Sequence, residues 1–122
     1  GTKGPAVLLG GLDFDGLRGI AAAGDHVVVG GFFSGQMDLA GRTLTAGGGD
    51  DSFLAVLDGS GSVTDAWQVG GDGREEIAQL SAIPGGFVAA VTHTAAARIG
   101  DVALPSPAAP MTGAALVVRP AP

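Results

Sequence analysis

The sequence predicts an all-β chain made of two copies of one unit, and three observations carry that prediction. Short apolar, often β-branched runs such as His26-Val27-Val28-Val29 and Ser52-Phe53-Leu54-Ala55-Val56-Leu57 alternate with turn dipeptides, the pattern of strands closed by tight turns. The 23 glycines in 122 residues far exceed the usual share of about 7%, and they sit mostly between those runs without a Gly-X-Y period. The same order of apolar runs, turns and glycines then recurs about 60 residues downstream, where Gly10-Gly11 is matched by Gly70-Gly71.

Taken in order, Ala6-Val7-Leu8-Leu9 is a short apolar run ended by Gly10-Gly11, the signature of a buried strand. Leu12-Asp13-Phe14-Asp15-Gly16 is expected as a turn, its aspartates capping backbone amides. Leu17 to Ala23 is rich in alanine but short, contains Gly19 and stops at Gly24-Asp25; so short a helix is marginal by itself, and the segment is assigned as an inner strand. His26 to Val29 is a strand that continues through Phe32 and Phe33. Met37-Asp38-Leu39 and Thr43-Leu44-Thr45 form a small hairpin, and Gly47 to Asp51 a corner. Ser52 to Leu57 is the next strand, Asp58-Gly59-Ser60-Gly61 a turn, and Val63 to Val69, with the single tryptophan Trp67, the strand that Gly70-Gly71 closes.

The pattern then restarts. Val7 falls opposite Trp67, Ile20 opposite Leu80, Val27 opposite Phe87, Leu39 opposite Ile99 and Leu44 opposite Leu104, while Ser52 to Val56 aligns with Ala114 to Val118 after about two inserted residues. A β-repeat somewhat longer than the blades of a β-propeller, carrying an inserted hairpin, fits this period. The expected fold is therefore two propeller-type blades of about four antiparallel strands each. Residues 1–9 are the closing strand of a neighbouring blade, 10–69 the first repeat, and 70–122 a second repeat without its last strand. Two blades alone would leave long unpaired edges, so the expected setting is a larger or oligomeric propeller, completed by other blades of the same protein or by partner chains.

Composition narrows the possible functions. With a net charge of −6 and six scattered Lys and Arg residues, the chain lacks the basic patch that nucleic acid or an anionic membrane surface attracts. There is no cysteine, hence no disulfide, thiolate metal site or cysteine nucleophile. Hydrophobic residues make up 46% and charged residues 15%, excluding a disordered acidic tail. No apolar run reaches the roughly 18 residues of a spanning helix.

Gly30-Gly31-Phe32-Phe33-Ser34-Gly35, then Asp51-Ser52-Phe53-Leu54-Ala55-Val56-Leu57-Asp58-Gly59-Ser60-Gly61, then Trp67 before Gly70-Gly71, together resemble the bacterial β-propeller repeats of large secreted and surface proteins, myxobacterial ones included. The likeness is good in the first unit and loose in the second, where Thr92-His93-Thr94 replaces Phe-Phe-Ser and Arg119-Pro120 replaces Leu-Asp. It implies a propeller fold in an extracellular or cell-envelope setting, and implies no reaction.

The candidate residues divide by their own chemistry. Asp13, Asp15, Asp50, Asp51, Asp58, Asp72, Glu75 and Glu76 are expected in turns, where capping is the favoured role. Calcium at Asp13, Asp15, Asp50 or Asp51 is the alternative, although Asp13-x-Asp15-Gly16 lacks the remaining ligands of a calcium loop. His26 and His93 are expected at the surface, without the third ligand of a zinc site or a catalytic motif around them. Gly59-Ser60-Gly61 and Gly71-Asp72-Gly73 precede no helix of a βαβ unit, which argues against dinucleotide binding. Phe32, Phe33, Phe53, Trp67 and Phe87 are assigned to packing between blades, with ligand stacking by Phe33 or Trp67 as the alternative; Arg42, Arg74 and Arg98 are expected as scattered surface residues, with carboxylate or sugar-hydroxyl binding on a loop face as the alternative. Pro105-Ser106-Pro107-Ala108-Ala109-Pro110 is a proline-rich crossover loop.

The expected function is a non-catalytic scaffold or interaction module without cofactor, binding protein or glycan through its loop face. A lectin-like ring of two-blade chains and a part of a larger propeller-containing enzyme are the alternatives. Fold analogy alone does not rank them.

Overall fold

In the computed structural model, residues 10–11, 15–39, 42–47, 50–71, 73, 75–99, 102–104 and 112–118 are described. They form twelve strands: β1 (Gly10–Gly11), β2 (Asp15–Ala23), β3 (His26–Phe33), β4 (Gln36–Leu39), β5 (Arg42–Thr45), β6 (Asp51–Leu57), β7 (Val63–Gly71), β8 (Glu75–Ile83), β9 (Gly86–His93), β10 (Ala97–Ile99), β11 (Val102–Leu104) and β12 (Thr112–Val118). All pairings are antiparallel. The all-β class expected from the apolar runs is what the chain adopts, and the alanine-rich Leu17 to Ala23 lies in a strand.

The strands build three sheets, ordered β1-β4-β5, β11-β10-β7-β6-β3-β2 and β12-β9-β8. One apolar cluster joins Val28, Leu54, Val56, Val69 and Ile99 of the six-stranded sheet to Ile77, Phe87, Ala89 and Val91 of the β12-β9-β8 sheet. A second joins Val29, Phe33, Phe53, Ala55 and Leu57, on the opposite face of the six-stranded sheet, to Met37 and Leu39 of the β1-β4-β5 sheet. The six-stranded sheet is thus the middle layer. Its strand β6 is buried at every position, which is why Ser52 to Leu57 reads as a continuous apolar run rather than an alternating one. Phe33, Phe53 and Phe87 are buried in the core, and Phe33 and Phe53 meet edge to face at 6.5 Å between centroids.

The two units repeat in register. Strand β2 pairs with β3 and β8 with β9 at the same positions shifted by 60 residues, from Leu17↔Gly31 to Ile77↔Val91 and from Ile20↔Val29 to Leu80↔Ala89. The bulge between Leu17 and Gly19 returns between Ile77 and Gln79. Both hairpins turn on a glycine of positive φ, Gly24 at 61° and Gly85 at 80°, a conformation that costs glycine little. Strand β12 meets β9 as β6 meets β3, but Phe33↔Asp51 becomes His93↔Thr112, so the insertion before it is one residue and not about two. Residues 1–9, Asp13, Asp72, Arg74 and the proline-rich stretch 105–110 lie outside the described residues.

The β4-β5 hairpin, inserted between β3 and β6, does not join their sheet. It pairs with β1, and its counterpart β10-β11 pairs with the far edge of β7. The second hairpin is therefore carried on the last strand of the first repeat, β7, as the first is carried on β1. The two attachments share one register: Gly10↔Asp38 and Gly11↔Met37 become Gly70↔Arg98 and Gly71↔Ala97.

Candidate functional site

A cleft of about 600 Å³ opens where β5, β7 and the β10-β11 hairpin converge, lined among others by Thr45, Gly47, Asp51, Gln68, Gly70 and Arg98. Its floor is built by sequence-local features. Strand β6 starts at Asp51, and its carboxylate lies beneath the Gly47 amide. Strand β7 ends in Gly70-Gly71; the missing side chain of Gly70 lets Asp51 lie against the backbone, and that of Gly71 admits the Ala96 carbonyl and the Glu75 carboxylate. A Cβ built on Gly70 would overlap Asp51 Oδ2.

Asp51 is 1% exposed. Its Oδ2 accepts hydrogen bonds from the Gly47 amide at 3.2 Å and from Gln68 Nε2 at 2.7 Å. Gln68 Nε2 also donates to the Thr45 carbonyl at 2.7 Å, so one amide group ties β7 to β5 and to the acid. Burial pushes the Asp51 carboxyl above the ordinary aspartate value. The Gln68 amide and the Gly47 and Gly71 backbone N–H groups pull it back, and the neighbouring Asp50 charge adds to the rise.

Across the sheet, two more polar groups are buried. Glu75 and His93, 1% and 2% exposed, form a cross-strand pair of backbone positions. The Ala95 carbonyl, which only accepts, bonds His93 Nδ1 at 2.9 Å; the proton is thereby assigned to Nδ1 and Nε2 faces away from that bond. Ser52 Oγ donates to the Glu75 carbonyl at 2.7 Å and bridges the middle sheet to the β12-β9-β8 sheet.

Several expectations are corrected here. His93, expected at the surface, is buried because it closes β9 on the side facing the middle sheet; in the first unit the same position holds Phe33. Asp15, Asp51, Glu75 and Glu76, expected in turns, belong to strands β2, β6 and β8. Phe33 has no exposed surface, so its ring packs in the core and offers no platform to a ligand.

The other candidates are scattered. Asp50 is exposed and borders a smaller cleft of about 140 Å³ with Arg18, Phe32 and Glu76. The Arg18 guanidinium lies 4.9 Å from the Phe32 ring centroid, within cation–π range. Trp67 is half-buried against the core. Arg42 is exposed, 3.8 Å from Asp65, an ion pair of little energetic weight. His26 lies 3.0 Å from Asp25. Among the described residues no three His, Asp or Glu side chains converge as a metal-binding group. Asp58 is the turn cap expected of it: Oδ1 accepts from the Ser60 amide at 2.9 Å, the Ser60 hydroxyl at 2.6 Å and the Ser62 amide at 3.1 Å. Those donors hold its carboxyl below the usual value.

The cleft itself is not legible in the sequence. Its one signal there is the Gly70-Gly71 pair, whose need for close approach only the folded chain explains. No helix among the described residues is long and apolar enough to cross a membrane. Comparison with protein families, curated proteins and solved structures finds no match to this chain.

Proposed function

We propose that this chain is a non-catalytic β-propeller-type repeat module of a bacterial secreted or cell-surface protein, binding protein or glycan through the cleft between β5, β7 and β10. The observation that carries the blade reading is the shared register by which β4 joins β1 and β10 joins β7, 60 residues apart. In this reading β2, β3, β6 and β7 are the four strands of one blade, and the inserted hairpin of each unit thickens the outer edge of its predecessor.

The buried polar groups support a scaffold role. Asp51, Gln68, Ser52 and His93 hydrogen-bond to backbone carbonyls and amides or to one another, which stiffens corners and sheet joints. The cleft mouth combines the exposed Arg98 and Thr45 with small apolar Ala96 and Ala103, a surface suited to hydroxyl or carbonyl groups beside a short apolar body.

Titration of the ¹⁵N-labelled chain with an oligosaccharide panel and a peptide library tests it. The expected result is saturable shifts of the Thr45, Gly47 and Arg98 amides, lost in Arg98→Ala. Shifts centred elsewhere, or unaffected by that substitution, would overturn the assignment of the cleft.

A further inference from the structure

The floor of the cleft combines acceptors with a buried acid. Asp51 lines the cleft and is 1% exposed. Its Oδ2 takes the Gly47 amide and Gln68 Nε2, whereas its Oδ1 is closed to solvent and has no hydrogen-bond partner among the described residues. An unpaired buried carboxylate oxygen is costly and uncommon in native folds. Both hydrogens of Gln68 Nε2 are committed, one to that carboxylate and one to the Thr45 carbonyl. The amide therefore has only its Oε1, an acceptor, to offer a ligand.

No cation answers the charge. The donors to Asp51 are neutral amides, and the neighbouring charge that acts on it is the anion Asp50. Among the described residues no cation forms an ion pair with it. A second buried acid lies beyond Gly71, where a Cβ would stand 3.0 Å from Glu75 Oε1. The potential at the floor is negative, and burial strengthens it by removing the water that would screen it. A hydroxyl would bring one donor and two acceptor lone pairs to a floor already rich in acceptors. An ammonium brings three donors, no acceptor and the opposite charge.

Building on the cleft reading, we propose that the ligand is an amino sugar whose protonated primary amine pairs with Asp51 Oδ1, with Gln68 Oε1 as a second acceptor. The terminal torsion of an aspartate is soft, so a small turn brings Oδ1 to the cleft while Oδ2 keeps Gln68. A cation there favours the ionised acid against the burial that raises its carboxyl. The rest of the cleft favours a sugar over a lysine side chain. Its volume of about 600 Å³ accepts a ring, and the small Ala96 and Ala103 leave room for the carbon-bound face of one. Thr45 and Arg98 border the cleft with donors for ring hydroxyls. A lysine would set its methylene stem against those polar groups.

Amide shifts of the ¹⁵N-labelled chain read the outcome for methyl glucosaminide, its N-acetyl counterpart and methyl glucoside, at a pH where the amine is charged. The glucosaminide is expected to give saturable shifts at Thr45, Gly47 and Gln68, and the two neutral sugars to bind about tenfold to a hundredfold more weakly. That comparison needs no variant. Asp51→Asn should reduce glucosaminide binding to the level of the neutral sugars, its fold checked by the amide pattern of the β6–β7 ladder. In the wild type the carboxyl ¹³C signal of Asp51 should titrate at lower pH once the glucosaminide is added. Equal binding of the three sugars would refute the ammonium and leave the cleft reading standing, as would an unmoved carboxyl titration with binding untouched by Asp51→Asn. Tighter binding of Nα-acetyl-lysine amide at the same amides would overturn the choice of a sugar. Absence of shifts at the cleft with all four probes removes both this inference and the cleft reading beneath it.

Discussion

Replacing Gly70 by alanine tests the floor of the cleft with the least chemistry. The backbone at Gly70 is not among the positive-φ glycines, so the added methyl is resisted by a neighbour rather than by its own conformation. That neighbour is the Asp51 carboxylate: the new Cβ would overlap Oδ2 and lie 2.9 Å from Cγ, with Gln68 Nε2 at 3.3 Å. Real contacts of this kind do not fall below 3.0 Å, and Asp51 is held by two hydrogen bonds, so relief means rotating a buried acid away from its donors. Hydrogen bonds to a charged group contribute about 1.5–3 kcal/mol. The reduced freedom of the unfolded chain returns about 0.4–1 kcal/mol. With both bonds given up, a net loss of about 2–5 kcal/mol is expected in urea unfolding. With Asp51 first changed to alanine, the obstacle is gone and Gly70→Ala should cost less than about 1 kcal/mol. Equal costs in the two backgrounds would refute the close approach of Asp51 and Gly70.

Asp51→Asn isolates the titration of that acid. Because burial raises its carboxyl from the ordinary 3.8, the folded chain holds this proton more tightly than the unfolded chain. Its contribution to stability is therefore full below the unfolded value and declines as pH rises through the folded one. The wild-type urea midpoint should fall relative to Asp51→Asn over that window, and a difference independent of pH would count against a raised carboxyl. Phe33→Ala, which empties a fully buried site beside Phe53, should cost about 3–5 kcal/mol; a loss under about 1 kcal/mol would contradict its burial. Asp58→Ala should speed amide exchange at Ser60 and Ser62, the two backbone donors to its carboxylate, and leave the β6–β7 ladder protected. Unchanged exchange at those two amides would show that the turn holds without its cap.

Much of the fold is legible in the order of residues alone. Strands β3, β6 and β7 follow from β-branched and aromatic runs, and the hairpin at Met37 to Thr45 from two short alternating segments. The 60-residue shift is readable because turns and glycines constrain local conformation at matching places. The candidate site is far less legible. Asp51, Glu75 and His93 look like any polar residues at strand ends, and nothing local distinguishes a buried acid from a solvated one. Asp50, the neighbour of Asp51 in sequence, is exposed because it precedes β6, whereas Asp51 begins the strand and lies against Gly70 and Gln68.

By itself, then, the sequence determined the all-β class, the strand positions and the period, since these rest on alternation, β-branching and turn chemistry acting over a few residues. Only the tertiary structure decided which sheet each hairpin joins, which face of β3 and β6 meets which neighbour, and which acids lose their water. Those outcomes depend on partners distant along the chain: Asp51 is buried by Gly70 and Gln68, and β10 is placed by the free edge of β7. The energy of hiding a charge or filling an edge is set by what arrives there, and no local pattern encodes that arrival.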